Sequence, residues 1–301
     1  MNGSKDHPQT ERIKLVEVGP RDGLQNESKP VSTQDKITLI NRLADCGLNQ
    51  IEATAFVSPR WVPQMADHDT VMRHVTRRKD LVLSALVPNV TGAQAALAAG
   101  AQHLAIFASA SESFAQKNTN CTIAESLERF APVLALARQQ HCPVRAYISC
   151  AVQCPYEGPI HPDAVTRLVD HFLRSGCHEI AIADTLGTAY PEEIATVLTA
   201  VLRSADAHIL TGHYHATSGR ALDNIAVSLE LGLRCFDSAA AGLGGCPYAP
   251  GAAGNLRTGT LVDFLEQRGY QTDIDRPALA LVEQDLLTWK QQQDLPMFAH
   301  A

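Results

Sequence analysis

The sequence predicts an α/β fold: a closed (β/α)8 TIM barrel in a single domain, with a short C-terminal helical extension. Three observations support this prediction. Short apolar runs alternate with helix-like segments, eight such pairs fill roughly 270 residues, and no linker or change in composition divides the 301 residues. An open doubly wound sheet is the alternative. It normally has fewer units and a glycine-rich phosphate turn after its first strand, where this chain has Gly-Pro-Arg-Asp-Gly at 19–23.

Each apolar run is short enough for a buried parallel strand, and each is followed by a segment with helical periodicity. The predicted strands are 13–18, 50–56, 81–86, 103–108, 144–150, 179–183, 208–215 and 235–240. The predicted helices are 33–46, 66–77, 91–99, 122–141, 162–175, 190–203, 219–231 and 258–268. Start signals such as Ser32 and Pro162, and glycines such as Gly47 and Gly100, mark their ends. We therefore assign 1–12 to a polar N-terminal tail, 13–276 to the barrel, and 277–301 to a last helix and tail.

The composition is that of an ordinary globular protein, with 45% hydrophobic and 19% charged residues. A formal net charge of −7 without a basic stripe argues against nucleic acid as a partner. No apolar stretch approaches the ~20 residues that a membrane span needs, and the polar N-terminus lacks the apolar middle of a secretory signal. The eight cysteines are scattered rather than arranged as a disulfide framework, which favours a reducing cytoplasm.

Two histidines one residue apart, His213 and His215, are the most informative feature of the chain. In a strand their side chains point the same way and Tyr214 points the opposite way. Two imidazoles on one face can reach a single divalent metal ion. The alternative is a pair of structural histidines, and the residues at the other strand ends favour the metal site.

Further polar residues follow the predicted strands, where the chemistry of such barrels lies. Asp22 follows the first strand and Asn255 follows the last. The predicted metal ligands are therefore Asp22, His213, His215 and Asn255. One carboxylate, two imidazoles and an amide oxygen suit Mg²⁺ or Mn²⁺ better than a closed thiolate zinc site. They also leave coordination positions open for a substrate.

Three charged residues accompany this set. Arg21 precedes Asp22 and is suited to stabilise an enolate or a carboxylate. Glu52 and Asp184 lie within or at the end of otherwise apolar strands, where a charge is costly unless it is paired or metal-bound. The alternative for these two carboxylates is an ion pair that closes the barrel core. A salt bridge between Arg21 and Glu52 is compatible with both interpretations.

Cys246 lies in Gly-Leu-Gly-Gly-Cys-Pro-Tyr-Ala-Pro-Gly, a stretch too rich in glycine to be a helix or a strand. We expect a mobile loop at the barrel mouth. A free thiol there can donate or accept a proton, and the alternative is an inert small hydrophobic residue. Cys150 and Cys154 are expected to be buried or near the site rather than metal ligands.

These residues together resemble the 3-hydroxy-3-methylglutaryl-CoA lyase family, within the superfamily of metal-dependent lyases and synthases. The matching strings are residues 16–27, 51–65, 118–122, 149–158, 184–187 and 241–249. They span nearly the whole chain, and the first and last are highly specific. Asp-Thr-x-Gly at 184–187 is shared by the superfamily.

The resemblance implies cleavage of the C2–C3 bond of 3-hydroxy-3-methylglutaryl-CoA to acetoacetate and acetyl-CoA, a step of leucine degradation. It implies that Asp22 or His213 takes the hydroxyl proton and that Cys246 protonates the departing acetyl-CoA carbanion. The implied catalytic residues are Arg21, Asp22, Glu52, Asp184, His213 and Cys246. The implied contacts with the acyl-CoA substrate come from Arg21, Gln25, Lys117, Asn118 and Tyr147. Barrels of this size often pair through helices, so a homodimer or a larger homo-oligomer is expected.

Three positions depart from the family pattern. Ala216 stands where an acid is usual, Ser218 where a tyrosine is usual, and Ala55 where a serine is usual. They lie beside the expected substrate, so a lyase for a bulkier 3-hydroxy-3-alkylglutaryl-CoA is an alternative. Another is a barrel that binds an acyl-CoA without turnover. A condensing synthase is disfavoured, because those enzymes lack the Gly-Gly-Cys-Pro-Tyr loop and usually carry a further C-terminal domain.

Overall fold

The structure is a computed structural model that describes residues 11–25, 27, 29–246, 249–292 and 297–298; the side chains of 245–246 and 249–253 lie outside this description. Eight parallel strands form a closed barrel in which each strand pairs with its neighbours along the chain and the last pairs with the first. They are β1 Lys14–Glu17, β2 Gln50–Ala55, β3 Val82–Leu86, β4 His103–Ser109, β5 Val144–Ser149, β6 Glu179–Asp184, β7 Leu210–Tyr214 and β8 Cys235–Ser238. The predicted (β/α)8 barrel is confirmed.

Helices surround the barrel. They are α1 Thr33–Asp45, α2 His68–His74, α3 Val90–Ala98, α4 Glu112–Thr119, α5 Ile123–Gln139, α6 Pro162–Arg174, α7 Pro191–Val201, α8 Ala221–Glu230, α9 Thr258–Gln267 and α10 Arg276–Gln291. Helix α6 shows how they pack, because its buried residues Val165, Leu168, Val169 and Phe172 recur at helical spacing and form one apolar face. No helix in the described ranges is both long and apolar enough to cross a membrane.

Helix α4 is absent from the predicted elements. Ser111 caps its start by accepting a hydrogen bond from the Phe114 amide, and the left-handed residue Asn120 ends it. A capping box at Thr122 then begins α5 at the predicted place. The insertion places α4 directly after β4, at the barrel end where the strands finish.

Two other predictions need correction. The segment 207–209 forms a tight helical turn, so β7 begins at Leu210 rather than at 208. The glycine-rich segment after β8 was expected to contain no strand. Its backbone instead forms a two-stranded antiparallel ribbon, Gly245–Cys246 with Ala249–Ala253.

Candidate active site

The two histidines of β7 lie on one side of the strand, as their spacing predicted. His213 is buried, and its Nε2 is 3.3 Å from Nε2 of His215. Tyr214 points the other way, and its hydroxyl lies 2.8 Å from Ser228 Oγ on α8. Asp22 completes the group, since its carboxylate and the two imidazoles offer ligand atoms that all lie within 4.8 Å of one another. These three residues form a possible metal site.

Asn255, the fourth predicted ligand, adjoins this group. Its Nδ2 donates to Asp22 Oδ2 at 2.9 Å and to the Leu243 carbonyl at 3.2 Å, so its amide lies beside the carboxylate. Its backbone forms an isolated bridge with His215, which connects the end of β7 to the segment before α9. The structure therefore brings all four predicted ligands together.

The chemistry of the donors suits a divalent cation. Burial lowers the pKa of His215 to about 4, and the neighbouring His213 adds to this shift, so the imidazole is neutral at pH 7. Burial alone would raise the pKa of Asp22, but Arg21 and the two histidines outweigh it and hold this pKa well below its usual range. One carboxylate and neutral imidazoles are the protonation states that bind metal ions.

Asp237 of β8 fixes the orientation of His213. Its Oδ2 lies 2.9 Å from His213 Nδ1, so the imidazole carries its proton on Nδ1 and presents the lone pair of Nε2 to the site. The other oxygen of Asp237 accepts from Arg145, which also pairs with Glu179 at 3.1 Å. A buried chain of charges thus runs from the base of the barrel to the first histidine.

Arg21 is held from two sides. Its Nε donates to the fully buried carboxylate of Glu52, and its second nitrogen pairs with Asp22 Oδ1 at 2.6 Å. The other oxygen of Glu52 accepts from the Tyr147 hydroxyl at 3.0 Å. The guanidinium carbon lies 5.6 Å from the centre of the Tyr147 ring. The salt bridge expected between Arg21 and Glu52 is present, and it positions Arg21 beside the possible metal site.

The side chain of Asp184 supports the loop at 187–189, and the Asp184 backbone carbonyl accepts from the His215 amide at 3.4 Å. Its two carboxylate oxygens accept from the backbone amides of Gly187, Thr188 and Ala189 at 3.0–3.3 Å. Ser218, one of the three departures, donates from Oγ to the Gly187 carbonyl at 2.5 Å. The polar contact of Ser218 is therefore with this loop.

The remaining predicted residues occupy the same end of the barrel. Gln25 follows the π-helical turn Gly19–Gly23 that carries Arg21 and Asp22, and it is half-buried. Lys117 and Asn118 are exposed on α4, and Lys117 Nζ lies 4.4 Å from the centre of the Tyr156 ring. Ala55 is buried at the end of β2, and Ala216 is half-buried just beyond His215. The side chain of Cys246 lies outside the described residues, and the seven described cysteines are buried free thiols.

Five buried charged residues were not singled out from the sequence: Glu17, Lys36, Arg145, Asp237 and Glu283. Asp237 and Arg145 had a detectable signal, because each is a charged residue within a predicted apolar strand, where a charge is costly unless it is paired. Glu283 had none, since its partners lie in segments 24 and 42 residues earlier in the chain.

Comparison with known proteins agrees with this geometry. The family model described as HMGL-like matches residues 12–286. A hydroxymethylglutaryl-CoA lyase of Pseudomonas mevalonii is 47% identical over 270 residues, 90% of this chain and 90% of that protein. The crystal structure of the HMG-CoA lyase from Brucella melitensis is similar at a TM-score of 0.91 and 51% identity, and the match covers 94% of this chain and 100% of that one. An HMG-CoA lyase from Acinetobacter baumannii in complex with coenzyme A and 3-methylmalate gives a TM-score of 0.88 at 39% identity, covering 92% and 90%.

Proposed function

The chain belongs to the HMGL-like family, and from this premise we propose that it is a lyase that cleaves 3-hydroxy-3-methylglutaryl-CoA to acetoacetate and acetyl-CoA. The observation that carries the proposal is that Asp22, His213 and His215 lie close together beside Arg21. The relatives' names give the substrate and the reaction, and the coenzyme A complex of one similar structure supports an acyl-CoA as the bound partner.

We assign a divalent cation, Mg²⁺ or Mn²⁺, to Asp22, His213, His215 and Asn255. Such a cation would act as a Lewis acid toward the hydroxyl and carboxylate oxygens of the substrate. Asp237 keeps the His213 lone pair directed into the site, and Asn255 keeps the Asp22 carboxylate in place. No thiolate is in this set, which favours a hard cation over a structural zinc site.

The reaction needs a base, a group that stabilises negative charge and an acid. Asp22 or His213 takes the proton of the C3 hydroxyl as the C2–C3 bond breaks and C3 becomes the carbonyl carbon of acetoacetate. The bonding electrons pass to C2, and the charge spreads to the thioester oxygen, which Arg21 stabilises from its fixed position against Glu52. Cys246 then delivers a proton to C2 and so completes acetyl-CoA.

The alternatives have less support. A preference for a bulkier 3-hydroxy-3-alkylglutaryl-CoA rests on Ala55, Ala216 and Ser218 alone, and Ser218 is engaged by Gly187. Binding without turnover would leave the buried arrangement of Arg21, Glu52 and Tyr147 without a role. The names of the relatives favour neither alternative.

We also propose a cytoplasmic location and a homodimer or larger homo-oligomer. The free thiols of the seven described cysteines fit a reducing compartment. Relatives carry both cytoplasmic and mitochondrial in their names. Localisation of a tagged full-length chain and light scattering of the purified protein test these two points.

The test of the activity measures acetyl-CoA release from 3-hydroxy-3-methylglutaryl-CoA by the purified protein with Mg²⁺ or Mn²⁺. Larger 3-alkyl homologues are assayed in parallel. Rapid release with the methyl substrate supports the proposal. Acetyl-CoA release only from larger homologues would indicate a lyase for the bulkier substrate. Acyl-CoA binding without release from any homologue would indicate a protein that binds acyl-CoA without turnover.

A further inference from the structure

One buried carboxylate outside the barrel contacts both ends of the connection between β8 and α9. Glu283 of α10 is fully buried, and its Oε1 accepts from the Ala241 amide at 3.1 Å and from the Gly259 amide at 3.0 Å. Its Oε2 accepts from Nε and from a terminal nitrogen of Arg257 at 2.9 and 2.7 Å. All four hydrogen bonds that this carboxylate accepts come from the β8–α9 connection and the first turn of α9.

Ala241 and Gly259 are the first and last residues of a 19-residue segment that follows β8 and ends in the first turn of α9. The segment contains Cys246 and Asn255. It also contains Leu243, whose carbonyl accepts from Asn255 Nδ2 at 3.2 Å. A displacement of Ala241 would therefore reach Asn255 through Leu243, and it would reach Cys246 through the connecting backbone.

The backbone at both ends needs this support. Ala241 has a φ of 56°, a left-handed conformation that is costly for a non-glycine residue and persists only where the surroundings fix it. Gly259 lies in the first turn of α9, where backbone amides have no partner within the helix and where a carboxylate is favoured by the helix dipole. Glu283 accepts a hydrogen bond from one backbone amide at each end.

Gly259 shows that the fit is close. A Cβ atom at this position would lie 2.5 Å from Glu283 Oε2 and 3.0 Å from the guanidinium carbon of Arg276. The carboxylate thus occupies the space that any larger residue would need.

We propose that Glu283 is a positioning residue for the lyase reaction, which holds the Cys246 loop and Asn255 in register with the metal-binding residues of the barrel. This inference rests on the proposed function for its catalytic consequence, but not for its effect on the loop. Glu283 does not touch the substrate in this account. It acts through Ala241, Gly259 and Arg257.

The test compares wild type with Glu283→Gln in two measurements. The variant keeps the size of the side chain but turns an amide N–H₂ toward groups that are all donors. We expect kcat to fall at least about tenfold while KM changes less than about threefold, because misplaced catalytic groups lose rate rather than binding. Hydrogen exchange followed by mass spectrometry should become at least about tenfold faster in peptides that span 241–259, with the barrel strands unchanged.

Asp285→Asn is the matched control, because Asp285 is on the same helix but pairs with Arg42 on the surface. It should leave kcat and exchange unchanged. Gly259→Ala is a second variant, whose Cβ would displace the Glu283 carboxylate, so it should reproduce the faster loop exchange. If Glu283→Gln does not fold, the test is made on wild type. The Ala241 and Gly259 amides should exchange slowly, and fast exchange of both would contradict the inference.

Unchanged loop exchange in Glu283→Gln, or exchange that rises equally throughout the barrel, would overturn the inference and leave the lyase proposal intact. Absence of turnover by wild type with normal loop exchange would overturn the lyase proposal instead. The two failures are therefore distinguishable.

Discussion

At the scale of single residues, His213 depends on a partner that has no ligand role itself. Asp237 Oδ2 lies 2.9 Å from His213 Nδ1 and accepts a hydrogen bond from it. Asp237 is in turn paired with Arg145. A carboxylate behind a ligating histidine fixes its tautomer and raises its basicity. In the proposed metal site, the metal affinity is therefore expected to depend partly on β5 and β8, which carry none of the four predicted ligands.

Replacing Asp237 by asparagine should weaken Mn²⁺ binding by about 10–100-fold, because the Nδ1 proton loses its charged acceptor. Titration of the metal-free protein with Mn²⁺ measures this change. Asp69→Asn, which affects only a surface pair with Arg73 at 2.8 Å, is the control and should bind Mn²⁺ as wild type does. Equal affinities in Asp237→Asn and wild type would show that His213 needs no such support.

Cys246→Ala should reduce turnover by orders of magnitude while leaving the bound metal content unchanged, since the thiol is assigned to proton delivery and not to coordination. Metal analysis and steady-state kinetics on the same preparation separate the two effects. Full activity would mean that the loop is only a lid over the site.

The proximity of the predicted metal ligands could be anticipated residue by residue, and the residues that support them could not. His213 and His215 are two apart in one strand, so the period of the strand alone placed them together. Arg145 and Asp237 belong to strands far apart in the chain, and only the order of strands in the barrel makes them partners. Glu283 meets Gly259 through the packing of α10 on the barrel, which no local pattern encodes.

At the scale of elements, two buried carboxylates accept hydrogen bonds from the connection between β8 and α9. Glu17 of β1 accepts from the amides of Gly19 and Ala240 and from Thr258 Oγ1 at 2.7–2.9 Å. Glu283 holds the next residue at each end, Ala241 and Gly259. One residue of the first strand and one of the last helix thus accept hydrogen bonds from the same two regions of the chain, 240–241 and 258–259.

Burial raises the pKa of Glu17 from 4.5 to about 7, and the nearby charge of Glu283 contributes while the three hydrogen bonds oppose it. Between those two pH values the folded protein holds a proton that the unfolded chain has lost. The contribution of Glu17 to stability is therefore complete below pH 4.5 and is lost as the pH rises through about 7.

Glu17→Gln should not show this loss of unfolding free energy with rising pH, because glutamine does not ionise. Relative to the variant, wild type should lose up to roughly 3 kcal/mol of unfolding free energy between pH 5 and pH 7.5. Urea unfolding of both proteins at several pH values measures the difference. Parallel pH profiles would mean that Glu17 ionises normally in the folded state.

Element boundaries were predicted well where a cap or a glycine marks them and poorly elsewhere. Pro162 begins α6 as expected, and the box at Thr122 begins α5. Helix α4 was missed because eight residues of mixed polarity give too short a periodic pattern. The ribbon at Gly245–Cys246 was missed because its glycines indicated only a loop.

At the scale of the whole molecule, closure of the barrel creates the site. The pairing of β1 with β8 aligns Lys14 with Cys235 and Glu17 with Ser238, which brings Asp22 to residues more than 190 positions later. A metal ion bound between the residue after β1 and the histidines of β7 would stabilise the closed barrel. The number of strand–helix units predicted this closure, but not which polar residues would face each other across it.

Saturating Mn²⁺ should raise the Tm of the metal-free protein by several degrees, since a ligand at about 100 times its Kd adds roughly 2.7 kcal/mol to native stability. Differential scanning calorimetry measures the shift. His215→Ala, which lacks one donor, should show little or none of it. A shift of the same size in that variant would place the stabilising ion elsewhere.

The most direct test of the central claim is the removal and return of the metal in one sample supplied with 3-hydroxy-3-methylglutaryl-CoA. The protein should release acetyl-CoA and acetoacetate in equal amounts, stop when a chelator removes the cation, and resume when Mg²⁺ or Mn²⁺ is restored. His215→Ala should stay inactive throughout. Product release that continues in excess chelator, or none from metal-loaded protein, would contradict the assignment of a metal-dependent lyase.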